Sequence, residues 1–95
     1  MAFFVYVLAS RQRGTLYVGV TNNLSLRVYQ HRDGSGSGFT RRYKVTRLVY
    51  YETHEVPEEA IAREKRLKRW PRAWKIQAIE QFNPDWRDLY EDLNR

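Results

Sequence analysis

A chain of 95 residues has room for one compact core and little more, so one domain over 1–95 is expected. The absence of cysteine excludes a disulfide framework, a thiolate metal site and a cysteine nucleophile, and suits a reducing cytoplasm. Seventeen basic against eleven acidic side chains give a net charge of +6, which favours an anionic partner, and the apolar opening MAFFVYVLA lacks a basic leader and is far shorter than the roughly 20 residues that span a bilayer, so a soluble intracellular protein is expected.

FFVYVLA and TLYVGVT are rich in β-branched and aromatic residues and flank the polar SRQRG, the pattern of an antiparallel hairpin. Alternation on the second strand sets Leu16, Val18 and Val20 on one face and Tyr17, Gly19 and Thr21 on the other. Asn22 and Asn23 can cap a helix running through Gln30 or His31, with Leu24 and Val28 as its apolar stripe and Arg27 and His31, four apart, beside it. RDGSGSGFTRRYK breaks all periodicity and reads as a mobile basic loop carrying Arg32, Arg41, Arg42 and Lys44. TRLVYYE, residues 46–52, reads as a third strand. Pro57 suits the first turn of a helix to about Arg69, and Pro71 should separate it from another over Arg72 to Phe82. Asn83 and Pro84 are expected to open a short last helix over PDWRDLYE. The fold class is α+β: a central antiparallel sheet of about three strands flanked by helices.

Charge is uneven along this chain. In REKRLKRWPRAWK, Arg63 to Lys75, seven of thirteen residues are basic. With Trp70 and Trp74 interleaved, Lys65, Lys68, Arg69, Arg72 and Lys75 read either as a solvated helix face or as a nucleic-acid surface. Glu64 is the informative acid, because helical spacing sets it inside the stripe of Ala60, Ile61 and Leu67. A buried carboxylate needs a partner. That partner is either an arginine or a metal ion, and one carboxylate suits Mg²⁺, which keeps several waters and often takes further ligands from substrate phosphates.

The order VYV, YVG with ten positions from Val7 to Tyr17, a helix bearing Arg27 and His31, and Glu64 on a later helix resembles the GIY-YIG nuclease domain. TNNLSLRVYQH, GFTRRYKVTRLVYYE, AIAREKRLKRWPRAWKIQAIE and NPDWRDL resemble its small stand-alone bacterial members, so the likeness runs over 3–89. Val5 replaces the glycine that names the first motif, and Val7 and Val18 are conservative changes.

The resemblance implies hydrolysis of DNA phosphodiester bonds with one divalent ion, Mg²⁺ or Mn²⁺, on Glu64. It implies that Tyr17 helps activate the attacking water, that Tyr6 orients the nucleophile or shares its proton, and that Arg27 stabilises the phosphate in the transition state. His31 is either a helix-end cation, an alternative general base or a phosphate contact. Gly19 is expected to leave room for the substrate backbone, and Trp70, Trp74 and Trp86 to plug the core, with base-stacking platforms as the less favoured alternative. Arg41, Arg42 and Lys44 join the basic helix surface as expected nucleic-acid contacts, with a protein partner as a possible source of substrate selection. The alternatives are a nucleic-acid-binding module of the same fold with little activity of its own, and an interaction domain whose basic helix binds acidic protein.

Overall fold

The computed structural model describes residues 1–94. Three strands, β1 (Phe3–Ala9), β2 (Leu16–Thr21) and β3 (Arg47–His54), form one antiparallel sheet in the order β2-β1-β3. The nearly continuous apolar run of β1 suits a middle strand covered on both faces, and Val5 to Ala9 are all buried. Its register pairs Tyr6 with Gly19 on one side and with Tyr51 on the other.

The two faces of the sheet build two cores. Val5, Val7, Ala9, Val18 and Val49 pack with Ala60 and Leu67 of α3 (Pro57–Arg69), Ile79 of α4 (Arg72–Phe82) and Trp86. Tyr6, Leu8 and Leu48 pack with Leu24 and Val28 of α1 (Leu24–Asp33), Val45 and Leu89. The register slips between Val7 and Leu8, so β3 bulges and sends Val49 and Tyr50 to the same core. The alternation expected for β2 holds: Val18 lies in the first core with Leu16 and Val20 against it, and Tyr17 packs on the second.

Two helices, α3 and α4, begin and end where the sequence places them. Pro57 opens α3 with Glu58 and Glu59 in its positive first turn, and the chain leaves the helix at Trp70 before Pro71. Asn23 caps α1 through its side chain, and Gly34, at φ 88°, closes that helix two residues beyond the expected end. Arg63 donates to Glu52 at 3.0 Å and lies 4.9 Å from the Trp70 ring centroid. Glu52 also accepts from Tyr50 (2.5 Å) and His54 (2.6 Å). Burial works against the Glu52 charge, but these hydrogen bonds hold its carboxyl below the ordinary range. The pairing fixes how α3 is rotated on the sheet, and so where Glu64 stands.

Three expectations are corrected. The loop RDGSGSGFTRRYK contains a helix, α2 (Gly38–Tyr43), capped by Ser37 through the Phe39 N–H at 3.1 Å. Asn83 ends α4 instead of opening a new helix: its amide donates to Val49 O and Arg87 O, and its Oδ1 accepts from Arg87 N. The last helical segment is a 3₁₀ turn, Leu89–Asn94. Ile61, expected in the apolar stripe, is 45% exposed.

Candidate active site

Tyr6 stands in the middle of β1, and its hydroxyl lies over the backbone of Gly19 on the neighbouring strand. A Cβ on Gly19 would overlap that hydroxyl. The glycine therefore makes room for the Tyr6 ring. Burial, reinforced by Tyr17 and Glu64 and opposed by Arg27, raises the Tyr6 phenol well above its usual pKa. Forming a free phenolate here is costly.

His31 completes this buried arrangement. It belongs to the apolar stripe of α1 with Leu24 and Val28, where sequence spacing set it beside the stripe. The Tyr6 hydroxyl is 3.0 Å from His31 Nε2, and His31 Nδ1 is 2.9 Å from Thr40 Oγ1. The Thr40 hydroxyl donates to Ser37 O at 3.1 Å, so its single proton is used and it accepts from Nδ1–H. This assigns the tautomer: His31 is neutral, protonated on Nδ1, and takes the Tyr6 proton on Nε2. Burial, with the Arg27 charge adding to it, lowers the His31 pKa below 6.5. A Cβ on Gly36 would come within 2.6 Å of His31 Nδ1, so the glycine loop presses directly on the ring. Thr40, Ser37 and Gly36 were missed in the sequence, where they lie in a stretch without period. No local pattern there could have found them.

Tyr17 is placed differently. Its ring meets His31 edge-on at 5.2 Å and lies 6.4 Å from Tyr6, but among the described residues its hydroxyl has no hydrogen-bond partner. Phe39 stacks on it at 6.1 Å with the rings 29° apart, and Tyr43 follows at 4.9 Å. A cleft of about 340 Å³ opens here, lined by Leu16, Tyr17, Val18, Phe39, Lys68 and Lys75. Arg27 is exposed, without an ion pair among the described residues, and close enough for its charge to act on both Tyr6 and His31.

Glu64 is held in the α3 surface near Tyr6, with its side chain 14% exposed and Lys68 Nζ at 3.0 Å. Its partner is thus a lysine one turn along the helix, where an arginine was the expected ion pair. Among the described residues no cluster of three or more His, Asp or Glu side chains could hold an ion. A single acid matches Mg²⁺ only if water and substrate oxygens complete its shell, and the residues present fit that requirement.

The expected nucleic-acid contacts fall into separate groups. Lys68 and Lys75 reach the Tyr17 cleft. Arg41 and Lys44 line a second cleft of about 440 Å³ with His31, Arg32 and Thr40, while the Arg42 guanidinium lies 5.5 Å from the Tyr43 ring centroid. Lys65 and Arg69 are exposed on α3. Arg72 is engaged elsewhere: it donates to Arg13 O and to Gly14 O (2.7 Å) and so holds the β1–β2 turn. Of the tryptophans, Trp86 is a core plug, Trp70 is half-buried and Trp74 is 56% exposed.

Family comparison gives the class to which this arrangement belongs. Residues 2–77 match the model of the GIY-YIG catalytic domain. The chain belongs to the GIY-YIG family, a family of nuclease domains. Its relatives include UPF0213 proteins of Clostridium perfringens, 40% identical over 91 residues covering 96% of this chain and 97% of that one, and of Bacillus pumilus, 37% identical over 92 residues covering 97% and 93%. The solution NMR structure of a UPF0213 protein from Bacillus halodurans is similar with a TM-score of 0.53 at 31% identity, covering 85% of each chain. No helix among the described residues is long and apolar enough to cross a membrane.

Proposed function

We propose that this protein is a divalent-metal-dependent endonuclease that hydrolyses DNA phosphodiester bonds. The observation that carries the reading is the buried chain Tyr6–His31–Thr40 beside a tyrosine with a free hydroxyl. A phenol, with an ordinary pKa of about 10, accepts a proton at neutral pH only if its own proton has somewhere to go. Tyr6 has such an outlet in His31 Nε2, and Tyr17 has none.

In this reading water attacks phosphorus and gives its proton to the Tyr6 oxygen while the Tyr6 proton passes to His31, which becomes imidazolium. No phenolate forms. The bond to the leaving oxygen breaks as the new P–O bond forms; the leaving oxygen then takes a proton from solvent, and His31 returns its proton through the Tyr6 hydroxyl to solvent, which its lowered pKa favours. Tyr17 orients the attacking water through its free hydroxyl, and Arg27 supplies positive potential and paired donors to the phosphoryl oxygens. Glu64 is the residue that would hold the ion, which when bound polarises the scissile phosphate and stabilises the leaving oxygen. Lys68 and Lys75 hold the flanking phosphates in the cleft.

The Glu64–Lys68 pair favours a second reading, a nucleic-acid-binding module of low activity, because the lysine competes for the carboxylate. Labelled single-stranded, duplex, flapped and branched DNA, incubated with Mg²⁺, Mn²⁺ or chelator, separates the two. Cleavage that needs the ion and disappears in Glu64→Gln supports the nuclease. Binding without cleavage of any of these DNAs supports the module.

A further inference from the structure

Trp74 is 56% exposed, an unusual situation for so large an apolar side chain. It does not stand alone. A groove along α4 beside the α3–α4 junction, about 220 Å³, is lined by Trp70, Trp74, Gln77 and Gln81. It continues through Trp70 and Gln81 into a recess of about 360 Å³ bounded by Arg63 and Phe82, the latter 48% exposed. Trp70 and Trp74 meet edge-on at 6.0 Å, 73° apart.

The chemistry of this lining selects its occupant. Aromatic faces stack on planar rings, and the amides of Gln77 and Gln81 can donate to and accept from base edges. Neither the groove nor the recess is lined by an acidic side chain. Arg63 at the recess is paired with Glu52, whereas Arg66 and Arg69, exposed on α3 outside the groove and recess, form no ion pair among the described residues, so α3 carries positive charge that suits a polyanion. Position agrees with composition. Lys75, which follows Trp74 on α4 about 100° round the helix, lines the Tyr17 cleft with Lys68, so a strand whose phosphates lie across these lysines reaches the tryptophan by passing round α4.

We propose that the groove along α4 at Trp70 and Trp74 binds an unpaired nucleobase of the nucleic acid whose backbone crosses Lys68 and Lys75, with Trp74 as the stacking face. The assignment rests on the reading of the substrate as nucleic acid, but not on cleavage. The test uses the whole protein in chelator at low salt, with an oligothymidylate of about 12 residues and an abasic oligomer of equal length, followed by anisotropy and tryptophan fluorescence. Trp74→Ala should weaken oligothymidylate binding about 5- to 100-fold and remove most of the fluorescence quenching, and Trp74→Tyr should restore most of the affinity. The abasic oligomer should bind the native protein and Trp74→Ala equally. Unchanged oligothymidylate affinity in Trp74→Ala overturns the proposal alone, as does an equal loss for the abasic oligomer. Failure of the native protein to bind either oligomer overturns the nucleic-acid reading as well.

Discussion

The Tyr6 hydroxyl is committed to His31 while the Tyr17 hydroxyl is free, so phenylalanine at each position should act differently. Tyr6→Phe leaves the buried His31 Nε2 without its donor, which should cost about 1–3 kcal/mol in urea unfolding. It should also lower the single-turnover rate by about 10² to 10⁴, the range for losing a positioned acid–base group. Tyr17→Phe should lower the rate less and leave the melting temperature unchanged; a larger loss at Tyr17 would move the proton acceptor there. His31 gives this site its pH dependence. Its folded pKa lies below the unfolded value of 6.5, because burial, and after it Arg27, disfavours imidazolium. The unfolded chain therefore takes up a proton below pH 6.5 that the folded chain refuses, and stability should fall as pH drops through that value. Glu52, whose folded pKa is lowered from 4.5, contributes stability that is lost only at more acid pH, so the two limbs are separable. The rate should follow the folded His31 and decline only as pH falls through its lowered pKa, on the acid side of the stability limb, and this limb should vanish in His31→Ala.

At the scale of the element, α2 joins the glycine loop to the buried His31. Six residues are too few for an isolated helix to persist in water, and α2 is held by the Ser37 cap and by Thr40, fully buried against His31. Thr40→Val keeps the shape but removes the acceptor of His31 Nδ1–H. We expect it to cost about 1–3 kcal/mol and to depress the rate by freeing the tautomer, with Thr40→Ser restoring both. A valine variant as active as the native protein would remove α2 from the mechanism. The β1–β2 pair poses the corresponding question in the sheet. Gly19→Ala should displace the Tyr6 ring, since the new Cβ would occupy the space of its hydroxyl, and its kinetic defect should match that of Tyr6→Phe.

Across the whole molecule the +6 charge is divided between the α2 region and the α3–α4 surface. If both contact phosphates, log affinity should fall against log salt with a slope of about −0.7 to −0.9 per contact. Neutralising Arg41 and Arg42 together should flatten the slope by roughly one to two units, and an unchanged slope would shift the contacts to α3 and α4. Arg72→Gln should behave otherwise. Its guanidinium holds the carbonyls of the β1–β2 turn, so the variant should lose stability more than it changes the salt dependence.

The features legible in the sequence are those set by local periods and breakers. Alternation in LYVGVT assigns the two faces of β2, and Pro57 and Pro71 bound α3, because side-chain direction and proline geometry are fixed within a few residues. The resemblance to the family rests on Tyr6, Tyr17, Arg27 and His31 in the consecutive elements β1, β2 and α1, followed by Glu64 on α3. What the tertiary structure decided is which side chains meet over long separations. It set Thr40 on His31 across the glycine loop, gave Gly19 the task of admitting Tyr6, and turned Asn83 from the opening of a helix into the closing of α4 through the carbonyl of the β3 bulge. It buried Trp86 and exposed Trp74, though the chain marks neither. Such outcomes depend on how two cores fill on opposite faces of one sheet, and packing of that kind has no period along the chain.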